Sequence, residues 1–107
     1  MNFDPDKVAH ELSVRGKSWA EKDAQYRALD DATKSILAGI ATNFEGSEAL
    51  KERSARASDE YRYQHLKSLS EARTKATIAK VNYDVYKTWI DMKRTELSYQ
   101  KAEMGIR

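Results

Sequence analysis

Residues 47–103 contain neither glycine nor proline, and Ala, Leu, Glu, Lys and Arg dominate them. Nothing local forces the backbone out of a helix over more than half of the chain. The spacing predicts a long, coiled-coil-like helix over 48–103. Its apolar residues fall into two stripes. One runs through Leu69, Ala72, Ala76, Ala79, Tyr83, Tyr86, Ile90 and Leu97 in steps of three and four, interrupted by Lys93. The other runs through Ile78, Val81, Val85, Trp89, Met92 and Tyr99. An offset of two residues turns an α-helix by about 200°, so the two stripes lie on opposite sides. A helix that is apolar on two opposed faces has to be covered on both. The second stripe is therefore expected to be an oligomer or partner interface.

Upstream, Asp4-Pro5 is a helix start: Asp caps the free amides, and Pro at the first helical position gives up a donor that had no partner. A short helix over 5–15 comes next, with Val8, Ala9 and Leu12 as its apolar side. Gly16 is expected to end or bend it, because glycine inside a helix costs about 1 kcal/mol relative to alanine. Ser18-Trp19-Ala20-Glu21 has the form of a capping box and predicts a second helix over 19–42. Asn43-Phe44-Glu45-Gly46-Ser47 reads as a turn at 43–47, with Gly46 suited to left-handed backbone and Ser47 to capping the helix after it. A connection this short makes its flanking helices antiparallel neighbours. The two are unequal, since 19–42 spans about 36 Å as helix and 48–103 about 84 Å. Either the long segment breaks near 54–58, with Asp59 and Glu60 opening a new first turn, or other subunits cover its far end. The predicted fold is all-α: one helical domain, an antiparallel helical hairpin or small helical bundle that is oligomeric.

An enzyme site would need residues that this chain mostly lacks. The two histidines, His10 and His65, are far apart and fall in no metal-ligand or hydrolase spacing, and no glycine-rich phosphate loop exists. The reading is of a protein that is not an enzyme and has no catalytic residue, metal or cofactor. With no cysteine there is neither a disulfide framework nor a thiolate nucleophile, which suits a reducing compartment and leads to the expectation of a cytoplasmic protein. No apolar run is long enough for a membrane span, so no membrane is expected among the partners.

The formal net charge is only +2, but residues 1–50 carry six Lys/Arg against nine Asp/Glu, and residues 51–107 thirteen against eight. Two patterns use this excess. Lys80, Asp84, Lys87, Asp91, Arg94 and Lys101 keep helical steps beside the first stripe and read as a ladder of helix-stabilising or partner-selecting charges. Further upstream, Arg53, Arg56, Arg62, Lys67, Arg73 and Lys75 are interleaved with Tyr61 and Tyr63. Cations with aromatic rings between them suit a single nucleic-acid strand, whose phosphates take the charges while its bases stack on the rings. The bland reading of the same residues is tyrosines packed in a bundle and cations in solvent.

The stretch Val81-Asn82-Tyr83-Asp84-Val85-Tyr86-Lys87-Thr88-Trp89-Ile90-Asp91-Met92-Lys93-Arg94-Thr95-Glu96, leading to Ala102-Glu103-Met104, resembles the C-terminal helix of small phage-encoded helical recombination-accessory proteins. The resemblance implies an oligomer that loads or supports a recombinase or annealing protein on single-stranded DNA, in the host cell cytoplasm if phage-encoded; it carries over no catalytic residue. A second likeness, to small secreted helical hairpins with a Trp-x-Gly turn, rests on Phe44-Glu45-Gly46 and on Tyr99 with Glu103, with Phe in place of the Trp. The functional expectation is a homo-oligomer acting as an accessory factor on single-stranded DNA. The alternative is a protein-only interaction module (inhibitor, adaptor or scaffold) that uses the second apolar face.

Overall fold

The computed structural model describes residues 3–105, which are all-α with no strand among them. Helix α1 spans Pro5–Asp31, α2 Thr33–Ala41 and α3 Glu48–Ala57; a π-helical turn, Glu60–His65, leads into α4, Leu66–Gly105. Among these residues no helix is long and apolar enough to cross a membrane. The chain divides into two units, Met1–Ala20 with Thr77–Arg107 and Glu21–Ala76, so that α1 and α4 each contribute a segment to both.

The start of α1 obeys the local signals. Asp4 accepts from the amides of Asp6 at 3.0 Å and Lys7 at 3.4 Å, and Pro5 takes the first helical position. The expected separation into helices over 5–15 and 19–42 does not form. Gly16 lies inside α1, and Ser18-Glu21 is mid-helix rather than a capping box. Glycine's helix penalty of about 1 kcal/mol is local and small beside the packing of the whole face. A Cβ at Gly16 would stand 3.5 Å from Cε2 of Tyr83, so that ring packs directly over the glycine. The break comes instead at Ala32, where φ and ψ relax to −77° and −10°. There Thr33 Oγ1 donates to the carbonyl of Leu29 at 3.3 Å, the kind of back-bonding that bends helices.

In the first unit the ends of α1 and α4 pack through the first stripe. Val8 of α1 and Ala79 and Ile90 of α4 are buried. Trp19 stands against Tyr83 with ring centroids 5.4 Å apart, and the Arg15 guanidinium lies 4.4 Å from the centroid of Tyr86. Arg15 also donates to the carbonyl of Asn82 at 3.1 Å and is held by Glu11 at 2.8 Å. Residue numbers fall along α4 as they rise along α1, from Phe3 beside Trp89 to Trp19 beside Tyr83.

The second unit has its own core of Leu37, Ile40, Ala55 and Tyr61, with Ile36, Ala41 and Phe44 packed around it. The turn before α3 is built as its residues dictate: Gly46 has φ of 119°, and Ser47 Oγ accepts from the amide of Leu50 at 3.2 Å. Ser58 separates α3 from the π-helical turn. Its backbone is extended (φ −69°, ψ 150°), and its hydroxyl donates to the carbonyl of Ala55 at 2.6 Å while accepting from the amide of Tyr61 at 3.2 Å. One side chain thus serves the end of one helix and the start of the next, so the expected single helix over 48–103 is interrupted, at the 54–58 segment where a break was one of the two alternatives the sequence left open.

Candidate functional site

The basic zone lies in the second unit, and the structure divides its residues. Arg53, Arg62, Lys67, Arg73 and Lys75 are exposed. Arg56 is exposed too, but it is paired with Glu52 at 3.0 Å. Tyr63 is 64% exposed, with the Arg62 guanidinium 6.0 Å from its ring centroid. Tyr61 corrects the expectation of a second stacking ring: it is only 8% exposed and forms part of the core beside Ala55. Its ring stacks on His65, 5.7 Å away, and His65 is itself buried, with Nε2 2.8 Å from Oγ1 of Thr33. The physical reason is spacing: Tyr61 and His65 precede Leu69 by eight and four residues, so they continue the first apolar stripe upstream and turn inward with it. That periodicity is a signal from which the burial of Tyr61 could have been read. A nucleic-acid base would therefore meet one accessible ring here, not two.

The second stripe has a different character. Ile78, Val81, Val85, Met92 and Tyr99 are each between 52% and 70% exposed, all on the side of α4 turned away from α1. Ile78, Val85, Met92 and Tyr99 are spaced by sevens, and so are Val81, Thr88, Thr95 and Ala102. This is the spacing of a coiled-coil seam, with the first set at the a positions and the second at d. The two threonines fit such a seam because their hydroxyls are already satisfied: Thr88 Oγ1 donates to the Asp84 carbonyl at 2.9 Å and Thr95 Oγ1 to the Asp91 carbonyl at 3.0 Å. Neither hydroxyl needs a partner across the seam.

Trp89 departs from the expected stripe. It is half-buried at the margin of the seam, stacked on Tyr86 at 5.5 Å and standing 6.3 Å from Phe3, because the four-residue step from Val85 turns it about 40° towards the side that faces α1. At the far end of the first stripe Leu97 is exposed.

The charges beside the seam are not closed into the expected ladder. Among the described residues the ion pair on α4 is Lys93 with Glu96 at 3.2 Å, and neither Asp84 nor Asp91 is in one. Lys80 instead has its ammonium 5.9 Å from the ring centroid of Trp19. Asp84 and Asp91 border the seam on one side, and Glu96 and Glu103 on the other. The cations Lys80, Lys87, Arg94 and Lys101 lie one position further round. No group of three or more His, Cys, Asp or Glu able to hold a metal ion occurs among the described residues. Comparison with family models, with curated proteins and with solved structures finds no match for this chain.

Proposed function

We propose that this protein acts by binding another protein through the outward face of α4, as an inhibitor, adaptor or scaffold. The observation that carries this reading is the seam itself: a heptad-spaced apolar face, open to solvent, on a helix whose opposite face is already buried against α1. Exposed apolar patches of this order are how docking surfaces differ from ordinary protein surface, where apolar residues are scattered singly. A second reading, binding of single-stranded DNA as an accessory factor, draws on exposed Tyr63 with Arg62 beside it and on the free cations around them. It is the weaker of the two because Tyr61 lies in the core and Arg56 is paired.

The two readings separate in one titration series. A labelled four-heptad amphipathic peptide with an Ile/Leu seam and uncharged flanks, monitored by fluorescence anisotropy, should bind the wild-type chain saturably. Val85→Asp with Met92→Asp should weaken that binding by about tenfold or more, because a carboxylate would be buried in the contact. A thymidine oligonucleotide that binds with a steep salt dependence, lost when Arg53, Arg62 and Lys67 are replaced by Ala, together with no binding of the peptide, would overturn the docking reading in favour of nucleic acid.

A further inference from the structure

The charges along the seam carry the reading one step further, to the kind of partner. In a two-stranded coiled coil the residues flanking the a and d positions meet their counterparts across the contact, and like charges there select against a pairing. Every charged residue at these flanks between Ile78 and Ala102 is acidic: Asp84 and Asp91 on one side, Glu96 on the other, with Glu103 continuing that side. Asp84 and Asp91 are exposed and outside any ion pair among the described residues, so their charge is directed at solvent or at a partner.

A second copy of this chain is a poor occupant in either direction. Parallel and in register, it would bring Asp91 beside Glu96 of the second copy and set Thr88 on Thr88 and Thr95 on Thr95, a loosely filled seam. Antiparallel, it would bring the Asp84 and Asp91 flank of one copy against the same flank of the other. No Lys or Arg occupies a flanking position in this stretch; Lys93, paired with Glu96 at 3.2 Å, softens the parallel contact but leaves Asp84 and Asp91 uncompensated in the antiparallel one. We infer that the outward face of α4 takes an amphipathic helix of a different protein, one whose own apolar seam is flanked by Lys or Arg and is bulky opposite Thr88 and Thr95. This rests on the docking function proposed for α4 and adds the charge code that selects the occupant.

The test uses the full chain and two four-heptad peptides with the same Ile/Leu seam, one with Lys at both flanks and one with Glu. Like flanks keep each peptide from pairing with itself. Each exposed pair is worth a factor of about two, so several together should favour the Lys-flanked peptide on the order of tenfold. The difference should fade at about 1 M salt, where screening reaches roughly 3 Å. Asp84→Lys, Asp91→Lys and Glu96→Lys combined should invert the preference, with retained helicity checked by circular dichroism. Equal binding of the two charged peptides would overturn the charge code and leave the docking reading standing. Binding of no peptide, the uncharged one included, would remove both. A wild-type dimer at micromolar concentration that Val85→Asp dissociates, measured by light scattering, would show that the occupant is a second copy and overturn the inference.

Discussion

Replacing Gly46 by alanine should destabilise the second unit by about 1–3 kcal/mol, and the structure separates the two sources of that cost. The first is backbone strain: φ is 119°, outside the region that residues with a Cβ adopt readily. The second is a clash, since the new Cβ would stand 2.7 Å from Cδ2 of Leu50. Leu50 is 48% exposed and the atom struck is the end of its side chain, so a rotation relieves the clash cheaply. Strain should therefore dominate. With a urea slope of about 1–2 kcal/mol per M, the midpoint measured by far-UV circular dichroism should fall by roughly 1 M. In a Leu50→Ala background the same cost should persist, because only the clash has been removed. D-Alanine at position 46, introduced by semisynthesis, should restore most of the stability, since its preferred φ has the opposite sign. A neutral Gly46→Ala, or a cost that vanishes with Leu50→Ala, would refute the assignment of the turn's stability to its left-handed backbone.

Particular contacts set two further outcomes. Gly16→Ala should stabilise the chain by about 0.5–1 kcal/mol in urea melts, since Gly16 is helical and the added Cβ meets Tyr83 at an ordinary van der Waals distance of 3.5 Å; a helix boundary at Gly16 would make the change neutral or harmful. Tyr61→Ala should cost about 3–5 kcal/mol as a large-to-small change in a core, whereas Tyr63→Ala, at an exposed site, should stay within about 0.5 kcal/mol. Equal costs in the same melts would place Tyr61 outside the core.

Local periodicity made the two opposed stripes of α4 legible from the sequence alone, because side chains three and four residues apart share a helix face whatever the helix meets. The cap at Asp4-Pro5 and the turn around Gly46 were legible for a similar reason: each depends on hydrogen bonds or torsion angles within a few residues of itself. The stop at Ser58 was only one of two alternatives, because a serine is also tolerated inside a helix. Tertiary structure decided the remainder. Which stripe would be buried could not be read from two comparable stripes; it depended on Arg15 and Trp19, more than sixty residues away, meeting Tyr86 and Tyr83, with Val8 and Ile90 buried in the same unit. Gly16 stayed helical because that same long-range contact outweighs its local cost. Tyr61 could be a base-stacking ring or a core residue by composition; Ala55, Leu37 and Ile40 from the neighbouring helices made it core. The acidic borders of the outward seam were in the sequence throughout, but they acquired a meaning only once α1 had covered one face of α4 and left the other open to solvent, since a flanking charge selects a partner only where there is an open face to flank.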